Sequence, residues 1–193
     1  MLRYLSVFLL AFAVFAAPAF AKTYDLDPAH TTIGFSARHM VISNVAGKFE
    51  KFSGSFEMDD KGALTKASAA MEVASINTGT AKRDKHLKSP DFFDAGKFPK
   101  ITFVSKKITH KGNDYTVIGD MTIKGVTKSV TLKGELLGTA VGFGGEHRAG
   151  FHAEGKINRK DFGVNFNAML ETGGLVVSDQ VKIVLEVEGI MKK

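Results

Sequence analysis

Apolar and polar positions alternate with a period of two along most of this chain, and the alternation predicts strands. Ile33, Phe35, Ala37 and His39 alternate with Thr32, Gly34, Ser36 and Arg38, as in a strand with one buried face. The same period runs through Tyr115, Val117, Gly119, Met121 and Ile123, and through Val126, Val130, Leu132 and Leu136. It returns near the C-terminus in Val181, Ile183, Leu185 and Val187. Phe49 and Phe52 have opposite parity within one apolar stretch, which predicts a bulge or bend at Glu50-Lys51. Asp59-Asp60-Lys61-Gly62, Lys111-Gly112-Asn113-Asp114 and Lys124-Gly125 lie between such runs, as hairpin connections do. About eight strand-like segments follow Ala21. One segment departs from the pattern: Thr80 to Leu87 predicts a short helix, stopped by Ser89-Pro90.

Short strands with frequent turns predict an all-β fold, an antiparallel sandwich or barrel. The apolar faces also carry many small residues: Gly34, Ala37, Ala67, Ala69, Gly119, Ala149, Ala153 and Gly155. Facing inward, these would leave room for a ligand, and an eight-stranded barrel is about wide enough to hold one. At bends they would only relieve curvature. Periodicity alone leaves both readings open.

The N-terminus changes the picture of where the domain works. Arg3 is followed by an apolar run from Leu5 to Ala17, and Pro18 and Ala19-Phe20-Ala21 follow it. A basic start, a short apolar core and an A-x-A exit predict a secretory signal over residues 1–21, cleaved before Lys22. The run is shorter than the ~20 residues that span a bilayer. Residues 22–193 are then one domain by size, placed in the periplasm or released from the cell. The chain has no cysteine, so stability there rests on packing and strand pairing rather than disulfides. The net charge of +6 would elsewhere suggest nucleic acid. Export argues against nucleic acid and for anionic lipid headgroups or a phosphorylated ligand, and a solvated lysine-rich surface explains much of the charge equally well.

No catalytic constellation emerges. The chain has no Cys nucleophile, no G-x-S-x-G and no P-loop. Gly142-Phe143-Gly144-Gly145 lacks the spacing of a dinucleotide fingerprint and reads as a hairpin tip. The six histidines are His30, His39, His86, His110, His147 and His152. None are spaced as metal-ligand pairs, so no metal and no cofactor are expected. Arg83 to Asp94 stands out because it combines charged groups with Phe92 and Phe93. It reads as a lid whose two rings plug the barrel, or as a crossover that Arg83, Asp84 and His86 merely tie down; for Asp84 the tie is favoured.

Several segments together resemble the YceI family of periplasmic lipocalin-like proteins. They are Asp27-Pro28-Ala29-His30, Gly47-Lys48-Phe49, Phe52-Ser53-Gly54, Ser75-Ile76-Asn77-Thr78 and the Arg83-to-Asp94 stretch. They continue with Phe98-Pro99, Gly119 to Lys128, Gly150 to Gly155 and Asn158-Arg159-Lys160-Asp161-Phe162-Gly163. The resemblance implies an eight-stranded antiparallel barrel, extended relative to lipocalins and closed by a short helical lid. It also implies an apolar interior for a long isoprenoid, such as a polyprenyl phosphate or a quinone tail. It carries over no catalytic residue. Inward parity then nominates ligand-lining residues: Phe35, His39, Phe49, Met71, Ile76, Phe92, Phe93, Phe103, Met121, Ile123 and Phe151.

Three functions compete. The first is periplasmic transport or storage of an isoprenoid, with transient visits to a membrane surface. The second is scavenging of other lipophiles, such as fatty amides or hydrophobic antibiotics. The third and weakest is a lipid-modifying enzyme with His39 or His86 as base. Edge contacts between such barrels would make a homodimer, and the sequence does not decide that point. Cleavage has a direct test: N-terminal sequencing of protein recovered from the periplasm should begin at Lys22, and an N-terminal Met1 would refute it.

Overall fold

The computed structural model describes residues 21–168 and 176–193. The expected signal segment lies outside them, save Ala21. Among the described residues the chain forms one closed, antiparallel barrel whose wall has eight strand positions.

Five positions are single strands: β7 (Lys100–Lys111), β8 (Asp114–Ile123), β9 (Val126–Val141), β10 (His147–Asn158) and β11 (Val177–Met191). The other three are each broken once. β1 (Lys22–Leu26) and β2 (Thr32–His39) share one position, β3 (Ser43–Phe49) and β4 (Phe52–Met58) the next, and β5 (Leu64–Glu72) and β6 (Ile76–Asn77) the third. The ring closes because β11 pairs on both edges. Its residues 180–190 lie beside β10; on its other edge 177–186 meet β2 and 189–191 meet β1.

Each break has a local cause. The bend expected at Glu50-Lys51 separates β3 from β4. A 3-10 turn over Val73–Ser75 separates β5 from β6. Between β1 and β2, Pro28 offers no N–H to a ladder, and Asp27 organises the turn that replaces it. Its carboxylate accepts the Ala29 N–H at 2.9 Å, the His30 ring Nδ1 at 2.8 Å and Arg148 Nη1 at 2.8 Å. The same Arg148 nitrogen also bonds Glu188 of β11. Thr31 and Glu188 exchange hydrogen bonds at 3.0 Å. The segment Asp27-Pro28-Ala29-His30 is thus a clasp over the seam of the barrel.

The predicted periodicity is clearest on β8, where Tyr115, Val117, Gly119, Met121 and Ile123 are all buried and no residue between them is. The helix α1 (Ala81–Leu87) falls where Thr80 to Leu87 was expected, with Thr80 at its N-cap. The expected turns at Asp59–Gly62, Lys111–Asp114, Lys124-Gly125 and Gly142–Gly145 all connect strands.

The small residues divide into two groups. Some make room for neighbouring side chains: a Cβ on Gly119 would lie 2.5 Å from Phe103 Cζ, and one on Gly155 2.6 Å from Leu132 Cδ2. Others, Ala37, Ala67, Ala69 and Ala153, border open space inside the barrel. The two readings left open by the sequence are therefore both present, at different positions.

Asp27 gives the seam a pH dependence. Its hydrogen bond with His30 is the main reason its carboxyl titrates at about 2 rather than 3.8; burial opposes the shift, and Ala29 N–H and Arg148 add to it. A carboxyl with a depressed folded-state pKa contributes stability above its unfolded value, and that contribution is lost as pH falls through the folded value. Here the window runs from 3.8 down to about 2, worth up to about 2 kcal/mol. Urea denaturation of wild type and Asp27→Asn should show a stability gap at pH 7 that narrows across this window. A gap unchanged down to pH 2 would contradict the assignment.

Candidate functional site

The interior of the barrel is a long apolar cavity. Each of the eight strand positions contributes to its wall, among them Leu26, Phe49, Ala69, Phe103, Met121, Leu132, Phe151 and Ile183. The atom-free space within its envelope, including the part open to solvent, is about 1660 Å³. Its lining runs from Phe56, Leu64 and Tyr115 to Leu87, Phe92 and Phe93, so the space is a bore along the barrel.

The two ends are closed by different means. At one end, strand residues pack into an aromatic plug. Tyr24 stacks on Phe56 at 5.0 Å, Phe56 meets Phe151 edge-on at 5.2 Å, and Phe151 meets Tyr115 at 5.8 Å. The Tyr115 hydroxyl accepts the Leu64 N–H at 3.2 Å, so the plug is anchored to the ladder. At the other end the cover is not strand. Leu87 at the end of α1, and Phe92 and Phe93 beyond it, border the cavity directly.

That cover is held by a few specific ties. Asp84 accepts from the Thr78 N–H at 2.9 Å and the Thr78 hydroxyl at 2.6 Å, and Arg83 donates to the Thr78 hydroxyl and carbonyl at 2.7 Å each. Lys124 Nζ reaches across from the β8–β9 turn to the Pro90 carbonyl at 2.9 Å. Both parts of the Arg83-to-Asp94 reading hold: Asp84 and Arg83 tie the crossover, and Phe92 and Phe93 stop the bore.

Of the nominated residues, Phe35, Phe49, Met71, Phe92, Phe93, Phe103, Met121, Ile123 and Phe151 border the cavity. His39 and Ile76 do not. His39 is the last residue of β2, and on that strand the wall ends at Ala37. Ile76 is 2% exposed and sits in the solid core opposite Phe49. Inward parity gives a direction but not the length of the cavity, which is why these two differ. Parity arguments also passed over Leu26, Leu64 and Leu87, which sit at element ends or on a helix.

The histidines proposed as bases are not at the cavity wall. His86 is bonded to Asp91 at 3.0 Å and packs edge-on against Phe92 and Phe166. Asp27, His30 and Glu188 do come together as three potential metal ligands. Arg148, however, donates from one nitrogen to both carboxylates, so a guanidinium already supplies the positive charge there.

Polar residues at the cavity wall that sequence reasoning missed are Ser55, Ser68, Glu135, His152 and Arg159, of which Arg159 is buried, at 5% exposed. Its Nη1 donates to the carbonyls of Val164 at 2.6 Å and Phe166 at 2.7 Å, and its Nε to Ser178 at 3.0 Å. Nη2 reaches the Val177 carbonyl and Asp179. Burial pulls its pKa below the usual guanidinium value, with Asp179 opposing. A guanidinium has five N–H donors, and these five acceptors account for them. Arg159 therefore staples the segment after Phe162 to the start of β11 and has no donor left for a ligand headgroup.

Comparisons with known proteins agree with this architecture. Residues 24–189 match the YceI-like domain family. The chain is 38% identical to protein YceI of Escherichia coli over 181 residues, covering 92% of each chain. It resembles the crystal structure of Burkholderia cenocepacia BcnA with a TM-score of 0.73 at 28% identity, covering 84% of this chain and 98% of that one. A polyisoprenoid binding domain of Saccharophagus degradans, implicated in plant cell wall breakdown, shares the fold with a TM-score of 0.63 at 16% identity, covering 88% of this chain and 98% of that one. By sequence and by fold alike, the chain belongs to the YceI-like domain family.

Proposed function

We propose that this protein is exported and binds one long isoprenoid chain in the bore of its barrel, carrying or storing it between membranes. The observation that carries the reading is the bore itself, walled mainly by apolar side chains from all eight strand positions and stopped at its lid end by Phe92 and Phe93. The donors of Arg159 are committed to protein carbonyls and Asp179, and most of the rest of the lining is apolar, which suits an apolar chain inside. A polar head belongs outside the wall. The polyisoprenoid binding described for the Saccharophagus degradans domain supports the choice of an isoprenoid among apolar chains.

Energetics fit a carrier. A chain of about forty carbons buried at about 0.8 kcal/mol per carbon gains about 30 kcal/mol relative to water. That exceeds the roughly 20 kcal/mol at which affinities saturate, so ordering costs take a large share. The competing environment is a bilayer, equally apolar, and against it the hydrophobic gain nearly cancels. A protein balanced in this way can release what it takes up.

Native mass spectrometry of protein released gently from the periplasm should show the domain with one lipid adduct, and Met121→Trp, which narrows the bore, should lose it while keeping the same thermal unfolding profile to within a few degrees. A bare mass for the wild-type protein would refute the proposal. An adduct retained by the folded Trp variant would place the lipid elsewhere.

A further inference from the structure

The turn between β2 and β3 is built from residues that turns do not use. The Ile42 N–H closes it on the His39 carbonyl at 3.1 Å, leaving Met40 and Val41 as the central pair. Both have positive φ, 50° and 65°. Tight hairpins that need two positive φ values take Asn-Gly or Asp-Gly, and a β-branched residue there is a conformational outlier. Neither Met40 nor Val41 recovers the strain by burial: Met40, Val41 and Ile42 are 38%, 66% and 80% exposed. None of the three borders the cavity. Strain kept at an exposed site without a folding benefit points to a task.

Position narrows that task. The tip stands at the lid end of the barrel: His39 pairs with Val177 at the start of β11, and the Met40 N–H donates to the Val176 carbonyl at 3.0 Å. Arg38 braces the tip by donating to the Val41 carbonyl at 3.3 Å. Arg38 of β2 lies beside it, and Lys48 of β3 and Lys82, Lys85 and Lys88 of α1 or its cap stand at the same end of the barrel. Among the described residues, none of these five forms an ion pair. Of the acidic groups at this end, Asp179 is paired with Arg159 and Lys160 and Asp91 with His86, Asp84 is bonded to Thr78 and Glu50 to Asn77, and Asp94 and Asp161 form no ion pair among the described residues. An apolar tip at an end of the barrel where cations without an ion pair outnumber such carboxylates is complementary to an anionic bilayer, with its negative surface above an apolar interior.

We propose that the Met40-Val41-Ile42 tip inserts into the headgroup region of an anionic lipid bilayer and docks the lid end of the barrel against it. The carrier reading explains why such a contact sits at the lid end, but vesicle binding stands or falls without any cargo. The test uses mature protein and large unilamellar vesicles of phosphatidylcholine with or without phosphatidylglycerol, read by co-sedimentation. Wild type should bind phosphatidylglycerol vesicles at least tenfold more tightly than pure phosphatidylcholine, and added salt should weaken it.

The triple variant Met40→Asn, Val41→Gly, Ile42→Thr installs a turn sequence suited to the observed φ angles, so it should melt higher than wild type. It should bind phosphatidylglycerol vesicles about tenfold less tightly while still taking up geranylgeraniol in detergent-free buffer. Equal vesicle binding by wild type and variant overturns the proposal, as does no binding by wild type. Loss of a wild-type dimer in the variant, with vesicle binding unchanged, would assign the tip to a second copy of this chain instead. Failure of geranylgeraniol uptake by both proteins, with tip-dependent vesicle binding intact, would count against the carrier reading and leave the docking surface standing.

Discussion

The seam where β11 meets both β1 and β2 is the constraint on which the rest of the molecule depends. A sheet of this length either leaves two open edges or closes, and closure alone removes the edges. Here the strand position at the seam is shared by two segments, because Pro28 has no N–H to give a ladder. The break is repaired by Asp27, which draws His30, Ala29 and Arg148 to one carboxylate, and by Arg148 bridging on to Glu188. Once the ring is closed, its inward positions are removed from water whether or not side chains fill them. The cavity is a consequence of that closure combined with small residues at Ala37, Ala67, Ala69 and Ala153.

Packing at the two ends gives the cavity a direction. The plug of Tyr24, Phe56, Phe151 and Tyr115 consists of strand residues, so opening it would cost ladder hydrogen bonds as well as aromatic contacts. The lid of Leu87, Phe92 and Phe93 can move at the cost of side-chain ties such as Lys124 to Pro90. A ligand entering the bore would therefore meet the lower cost at the lid end, where the exposed apolar tip also lies.

Much of this was legible in the amino-acid sequence, and what was not has physical causes. The alternation on β8, the bend at Glu50-Lys51 and the helix Ala81–Leu87 depend on local patterning and were readable. Seven of the nine nominated strand residues border the bore, because parity is a local property, and Phe92 and Phe93 border it from the lid. The extent of the bore is not local, so His39 and Ile76 fell outside it. Small residues are ambiguous for the same reason: only the side chain on the neighbouring strand decides whether Gly119 is covered by the Phe103 ring or left open. Met40-Val41-Ile42 gave no turn signal because apolar and β-branched residues normally continue a strand, and Arg159 stood in a recognised segment without a role, because its five acceptors come from two stretches of chain, 164–166 and 177–179, that only the fold brings to it.

The central claim is that an apolar chain occupies the bore between plug and lid, and four methionine methyl groups report on it. Met71 and Met121 border the cavity, Met58 is buried away from it at 1% exposure, and Met191 lies at the end of β11. Methyl NMR of Met-labelled protein titrated with geranylgeraniol should show contacts from the isoprenoid to Met71 and Met121 and none to Met58 or Met191. Contacts to Met191 without Met71 and Met121, or no saturable change at any methyl, would contradict the account.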